Sequence, residues 1–229
     1  MSTKMKGKEK KMKGPSFLVL ILLSLVIISA TAEAQEISRV LLIPREGEAT
    51  NLDLMLAKEA GVMTDLLQKA GFKVVVANAS GQPIEGLIKK LKTDLKLSEV
   101  RVDDYTGFIL PCMGTGLFPG PPVSALAVSI VKQALAKGKS VAAQCSSVYV
   151  LAEAGVLTGK RYAFGDDPLN SLNPMDLRFR GAIYNGPGVV QDGNIITSGR
   201  CPNIESRIGV PDNTPELTRA FIAALGLKK

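Results

Sequence analysis

Residues 140–155, SVAAQCSSVYVLAEAG, decide the fold. The run Val141-Ala142-Ala143 has no polar interruption, which is how a parallel strand buried on both faces is written. After Cys145 the rhythm changes: Val148, Leu151, Ala152 and Gly155 recur at three- and four-residue steps, and a glycine suits the end of a helix. Cys145 therefore stands at a turn from strand to helix. Such a turn lifts a side chain above the carboxyl edge of a sheet, where the positive end of the helix favours a thiolate. This is the pattern of a nucleophile elbow. A second reading fits the same residues, because free cysteine is among the most buried residue types and Cys145 would then be a small core hydrophobe.

Outward from this stretch the chain alternates strand and helix. Residues 39–44 (RVLLIP) read as a first strand, and 45–51 as a polar loop. Residues 52–70 form a helix by the spacing of Met55, Glu59, Val62, Met63, Leu66, Leu67 and Ala70, which Gly71 ends. A second strand covers 72–77 (FKVVVA), and Ser80-Gly81-Gln82-Pro83 is a turn. Residues 84–103 admit two readings, a short helix around Ile88 and Leu91 or an added edge strand within 95–100. Residues 107–111 (GFILP) are a buried strand leading into a loop at 112–116, and a helix over 123–137 ends at Gly138. Beyond the elbow helix come a short strand at 161–164, a loop at 166–173 and a hairpin about Asp192-Gly193. A last helix opens at Thr214-Pro215-Glu216 and runs to Leu225. Alternation of this kind implies a three-layer α/β sandwich on a mainly parallel sheet. Ligands in such folds bind outside the carboxyl ends of the strands, so the loops after Pro44, after Pro111 and at Cys145 converge on one edge.

With 229 residues, 46% of them hydrophobic and 21% charged, the composition is that of a globular domain with a sizeable core. The formal charge of +7 is concentrated at the N-terminus. Residues 1–34 hold six lysines and two glutamates, and the remainder carries only +3. That excludes the basic face on which a nucleic-acid partner would depend. Residues 1–34 also have the three parts of an export signal: a lysine-rich start, an apolar run from Phe17, and the small-residue site Ala32-Glu33-Ala34. Cleavage would leave a single domain, 35–229, outside the cytoplasm. The alternative is a retained anchor, which is the one route to a membrane partner, but the run from Phe17 to Ala32 is short for a span and contains Ser24, Ser29 and Thr31. Three cysteines in an exported chain leave one unpaired. A Cys112–Cys201 bridge would leave Cys145 free; all three reduced is the alternative. No C-x-x-C or comparable ligand spacing is present, and neither a metal nor a cofactor is expected.

The order VLLIP, a glutamate on a helix ending LLQKAGFKVVVA, DDYTGFILP, KGKSVAAQCSSVYVLAEAGVLTGKR and VVQDGNIITSGR resembles the ThiJ/PfpI family, within the flavodoxin-like class I glutamine-amidotransferase fold. The likeness extends over nearly all of residues 39–225. It implies a dimer and a small-molecule substrate or ligand, but not one reaction, because family members include peptidases, chaperones, deglycases and hydratases. By the resemblance, the elbow cysteine falls on Cys145 and the family glutamate on Glu59, whose protonated carboxyl would hydrogen-bond the sulfur. Without the resemblance, Glu59 reads as a solvated helix residue paired with a surface charge.

Two departures from the family pattern bear on the chemistry. The loop that usually reads proline-glycine-glycine is here Pro111-Cys112-Met113-Gly114, so an oxyanion hole would rest on backbone amides around Met113 and Gly114 together with Ser146. There is no histidine anywhere in the chain. A cysteine–histidine dyad is thus impossible, and peptide hydrolysis, which must protonate a poor leaving group, is disfavoured. Beside a catalytically inactive module with a structural or interaction role, two functions fit what remains. One is an exported enzyme in which a Cys145 thiolate adds to a small carbonyl or related electrophile while Glu59 moves the proton; the other is a non-enzymatic protein that binds a ligand or responds to oxidants.

Overall fold

The computed structural model describes Thr3 and residues 37–115, 123–165 and 176–226. The chain divides into two compact units, residues 1–36 and 37–229. The expected export segment lies, but for Thr3, outside the described residues, as does the loop expected at 166–173. Among the described residues no helix is long and apolar enough to cross a membrane.

In chain order the second unit contains β1 (Arg39–Leu42), α1 (Leu52–Met55), a π-helical turn (Leu56–Ala60), α2 (Gly61–Lys69), β2 (Lys73–Asn78), β3 (Ile84–Glu85), β4 (Lys90–Leu91), β5 (Leu95–Lys96) and β6 (Gly107–Leu110). Then follow α3 (Ala125–Ala136), β7 (Ser140–Gln144), α4 (Val148–Glu153), β8 (Arg161–Tyr162), β9 (Ile183–Tyr184), β10 (Val189–Asp192), β11 (Ile195–Ser198), α5 (Pro202–Ile208) and α6 (Thr214–Ala224). Seven strands form one sheet in the order β10-β11-β7-β6-β1-β2-β5. Every neighbouring pair is parallel except the β10–β11 hairpin. Asp192 pairs with Ile195, so the hairpin loop is Gly193-Asn194, and Gly193 at φ +61 supplies the positive angle of a type II′ turn.

Strand periodicity sorts the core into two layers. Leu41, Phe108, Leu110, Val141 and Ala143 point to one face, in a cluster with Ile130 and Val131 of α3 and Leu151 of α4. Val40, Leu42, Ile109, Ala142 and Ile196 point to the other, against Met63 and Leu67 of α2 and Leu217 and Phe221 of α6. This is the three-layer sandwich expected from the alternation of elements.

The ambiguous stretch resolves into neither of its two readings in full. There is no helix at Ile88, which is 87% exposed in the turn joining β3 to β4. That turn is held from afar, since the Asp53 carboxylate accepts the N–H groups of Leu87, Ile88 and Lys89. The edge-strand reading survives only as β5, beside β2, because residues 97–99 wind into a 3₁₀ turn. The sequence reading also omits α5. Pro202 at its first turn and Gly209 at φ +73 just past its end are ordinary helix boundaries, and they mark it in retrospect.

Candidate functional site

The site begins at the carboxyl ends of three neighbouring parallel strands. Leu110 of β6 pairs with Ala143 of β7, and Cys112 and Cys145 each lie two residues beyond that pair. Thr197 of β11 also pairs with Ala143, and Cys201 follows it by four residues. Adjacent strands are about 4.8 Å apart, so side chains leaving these three ends meet. The three Sγ atoms all lie within 4.8 Å of one another. All three cysteines are unbridged and buried, so the Cys112–Cys201 disulfide is not formed.

Cys145 occupies the elbow. Its φ is +50, a conformation that side-chain-bearing residues rarely hold, and a 3₁₀ turn at Cys145–Ser147 leads from it into α4. Two contacts fix the turn from both sides. Ser147 Oγ donates to the Pro111 carbonyl at 2.7 Å, which ties the elbow to the loop after β6. The Gln144 amide donates to the Arg200 carbonyl at 2.6 Å and to Thr214 Oγ at 2.9 Å, which ties β7 to the segment carrying Cys201.

The sulfurs form one hydrogen-bonded group. Hydrogen bonding with Cys145 and then with Cys201 outweighs burial and holds the Cys112 thiol well below the usual range. Cys112 Sγ and Ser146 Oγ are 3.0 Å apart. Cys145 and Cys201 are pushed the other way, first by their hydrogen bonds to Cys112 and also by burial. Burial pulls the Arg45 guanidinium below its ordinary value, and negative charge on Cys112 and then Cys145 opposes that pull.

Glu59 lies in the π-helical turn and is fully buried, so the solvated reading of this residue is wrong. Its carboxylate accepts the Cys112 N–H at Oε1 (2.9 Å) and the Met113 N–H at Oε2 (2.7 Å). Burial, and then the charge on Cys112, raises its pKa well above the carboxylate range. Among the described residues no hydrogen bond joins Glu59 to the Cys145 sulfur. The carboxyl group instead organises the loop after β6.

These placements revise the oxyanion hole. The Met113 N–H is committed to Glu59. Gly114 stands at φ +63 against Met55. Where the family pattern has glycine, Cys112 projects a sulfur into the space beside Cys145. A cavity of about 280 Å³ opens at the same sheet edge, lined by Pro44, Arg45, Leu110, Ser124 and Val150 among others, and Cys145 does not line it.

The DJ-1/PfpI family model matches residues 52–206. The chain belongs to the DJ-1/PfpI family. It is 33% identical over 134 residues to an uncharacterized protein of Methanocaldococcus jannaschii, covering 58% of this chain and 63% of that one. It is 30% identical over 137 residues to a deglycase of Pyrococcus abyssi, covering 58% of this chain and 76% of that one. The crystal structure of a ThiJ/PfpI domain protein from Brachyspira murdochii superposes with a TM-score of 0.61 at 18% identity, covering 82% of this chain and 95% of that one, a likeness of fold.

Within the DJ-1/PfpI frame, the missed feature is the convergence of three thiols. A sign of it stands in the sequence, since GFILPC, SVAAQC and IITSGRC each set a cysteine at or just past the end of an apolar run. Ligand-spacing rules overlook it because the three residues come from three different strand ends.

Proposed function

We propose that this chain is a thiol-redox member of the DJ-1/PfpI family, in which a hydroperoxide oxidises the Cys112 and Cys145 dithiol to a disulfide. One observation carries the reading: three buried sulfurs lie within 4.8 Å of one another in a chain without histidine. The Cys112 thiolate attacks a peroxide oxygen, the O–O bond breaks, and water or an alcohol leaves, which makes Cys112 a sulfenic acid. The Cys145 sulfur then attacks the sulfenic sulfur, a disulfide forms, and the thiol proton departs with the hydroxyl as water. Cys201 remains as the third thiol. Export of the domain and a homodimer belong to this reading as expectations carried from the sequence.

A second reading, addition of the Cys145 thiol to a reactive carbonyl, is favoured by the 30% identity to a deglycase. Against it stand the Met113 amide, which is committed to Glu59, and the missing imidazole. The experiment that separates the two treats reduced, metal-free protein with hydrogen peroxide, followed by peptide mapping without reductant. A Cys112–Cys145 linked peptide, with no consumption of methylglyoxal, is the expected result. Three thiols left intact, or carbonyl turnover that disappears in Cys145→Ser, overturns the redox reading.

A further inference from the structure

We propose that Cys112, Cys145 and Cys201 form a three-thiolate site for one Cu(I) ion. A thiolate–metal bond of about 2.3 Å gives a trigonal sulfur triangle with edges of about 4 Å, and the three sulfurs already lie within 4.8 Å of one another. Little movement is needed to close on an ion. Three strand ends and the ties through Gln144 and Ser147 fix the sulfurs before any metal arrives.

The surroundings choose the metal. All three ligands are sulfur, which selects soft cations over magnesium, calcium or manganese. A structural zinc site takes four ligands, and the apolar cluster around these cysteines contributes Met55, Ile204 and Val210, with no imidazole. The carboxylate within reach, Glu59, already accepts two backbone N–H groups. A dry, three-sulfur cup suits a d¹⁰ monovalent ion content with three neighbours. Binding forms three Cu–S bonds and releases the protons that the thiols still hold, without a change of oxidation state. Arg45 supplies positive charge beside the thiolates.

The inference uses the same sulfurs as the redox reading but does not depend on their oxidation. Its test titrates the reduced full-length chain, under anaerobic conditions, with Cu(I) held by bathocuproine disulfonate. The expected result is one copper withdrawn per chain and X-ray absorption reporting three sulfur neighbours. Cys201→Ser should lower the sulfur count to two and weaken binding more than about tenfold. Failure to take copper from the chelator, two-sulfur coordination in the unmodified chain, or retention of Zn(II) in equimolar competition overturns the proposal. If Cys201→Ser does not fold, the sulfur count of the unmodified chain decides. Peroxide mapping of metal-free protein is independent of these outcomes, so either proposal can fail alone.

Discussion

Glu59 Oε2 accepts the Met113 N–H at 2.7 Å, across 54 residues of sequence. That bond and its companion from Cys112 hang the loop after β6 from the π-helical turn. They also explain how Met113 keeps φ at +60, because a loop held by two buried bonds to one carboxylate tolerates a conformation its own side chain disfavours. The result reaches the site: with the backbone of Cys112 fixed, its sulfur is delivered to Cys145 and Ser146.

Glu59→Gln tests that arrangement. Glutamine offers one oxygen and one NH₂ group, so one of the two loop amides would face a donor, at a loss of about 1–3 kcal/mol. The pH dependence follows from sign. Burial raises the native pKa of Glu59 above its unfolded value, so the associated stability is full below the unfolded value of about 4.3 and declines as pH rises through the native one. Urea denaturation at stepped pH should show a gap between the two proteins that narrows upward from the carboxylate range. A gap independent of pH would contradict a raised Glu59.

Cys112→Ala separates the sulfurs. The hydrogen bond to Cys112 is the largest cause holding the Cys145 thiol above its usual range, and negative charge on Cys112 adds to it. Removing that side chain should lower the pH midpoint for iodoacetamide labelling of Cys145, read by intact mass and peptide mapping. An unchanged or raised midpoint would mean that Cys112 does not govern the elbow thiol.

Met113→Gly sets two magnitudes against each other. Glycine relieves about 1–2 kcal/mol of left-handed strain, whereas deleting a fully buried methionine costs about 2–5 kcal/mol. Packing wins, and chemical denaturation should show the variant less stable than the parent. A stabilised variant would show that the side chain contributes little against Leu56 and Ala60, its neighbours in the core.

The sequence made the sheet legible because buried parallel strands leave long apolar runs, and Cys145 legible because a turn and a helix follow one of them. Residues 84–99 were not, since β3, β4 and β5 are two residues long and the turn joining β3 to β4 is held by Asp53, a partner more than thirty residues away in the chain. Glu59 could be placed only by likeness to the family; within its helix it repeats at the same steps as its neighbours, and nothing local says that it faces inward. That Cys112 stands where the family pattern has glycine was legible as well. What its side chain does instead depends on where Cys201 arrives, and that is set by the register of β11 against β7.

Gly199 carries that arrival, and Gly199→Ala tests it. A Cβ there would stand 2.2 Å from the Gly165 nitrogen and 2.4 Å from the Phe164 carbonyl carbon, backbone atoms that no rotamer change can move aside. The 164–165 backbone or the turn after β11 must therefore shift, at a loss of about 1–3 kcal/mol. The same shift moves Cys201, two residues on, relative to the better-anchored pair Cys112 and Cys145. Two readouts should change together: a lower denaturation midpoint, and fewer sulfur neighbours in the copper-loaded protein with the Cys112–Cys145 disulfide still formed by peroxide. Loss of stability without any change in sulfur count would separate the packing of Gly199 from the placement of Cys201.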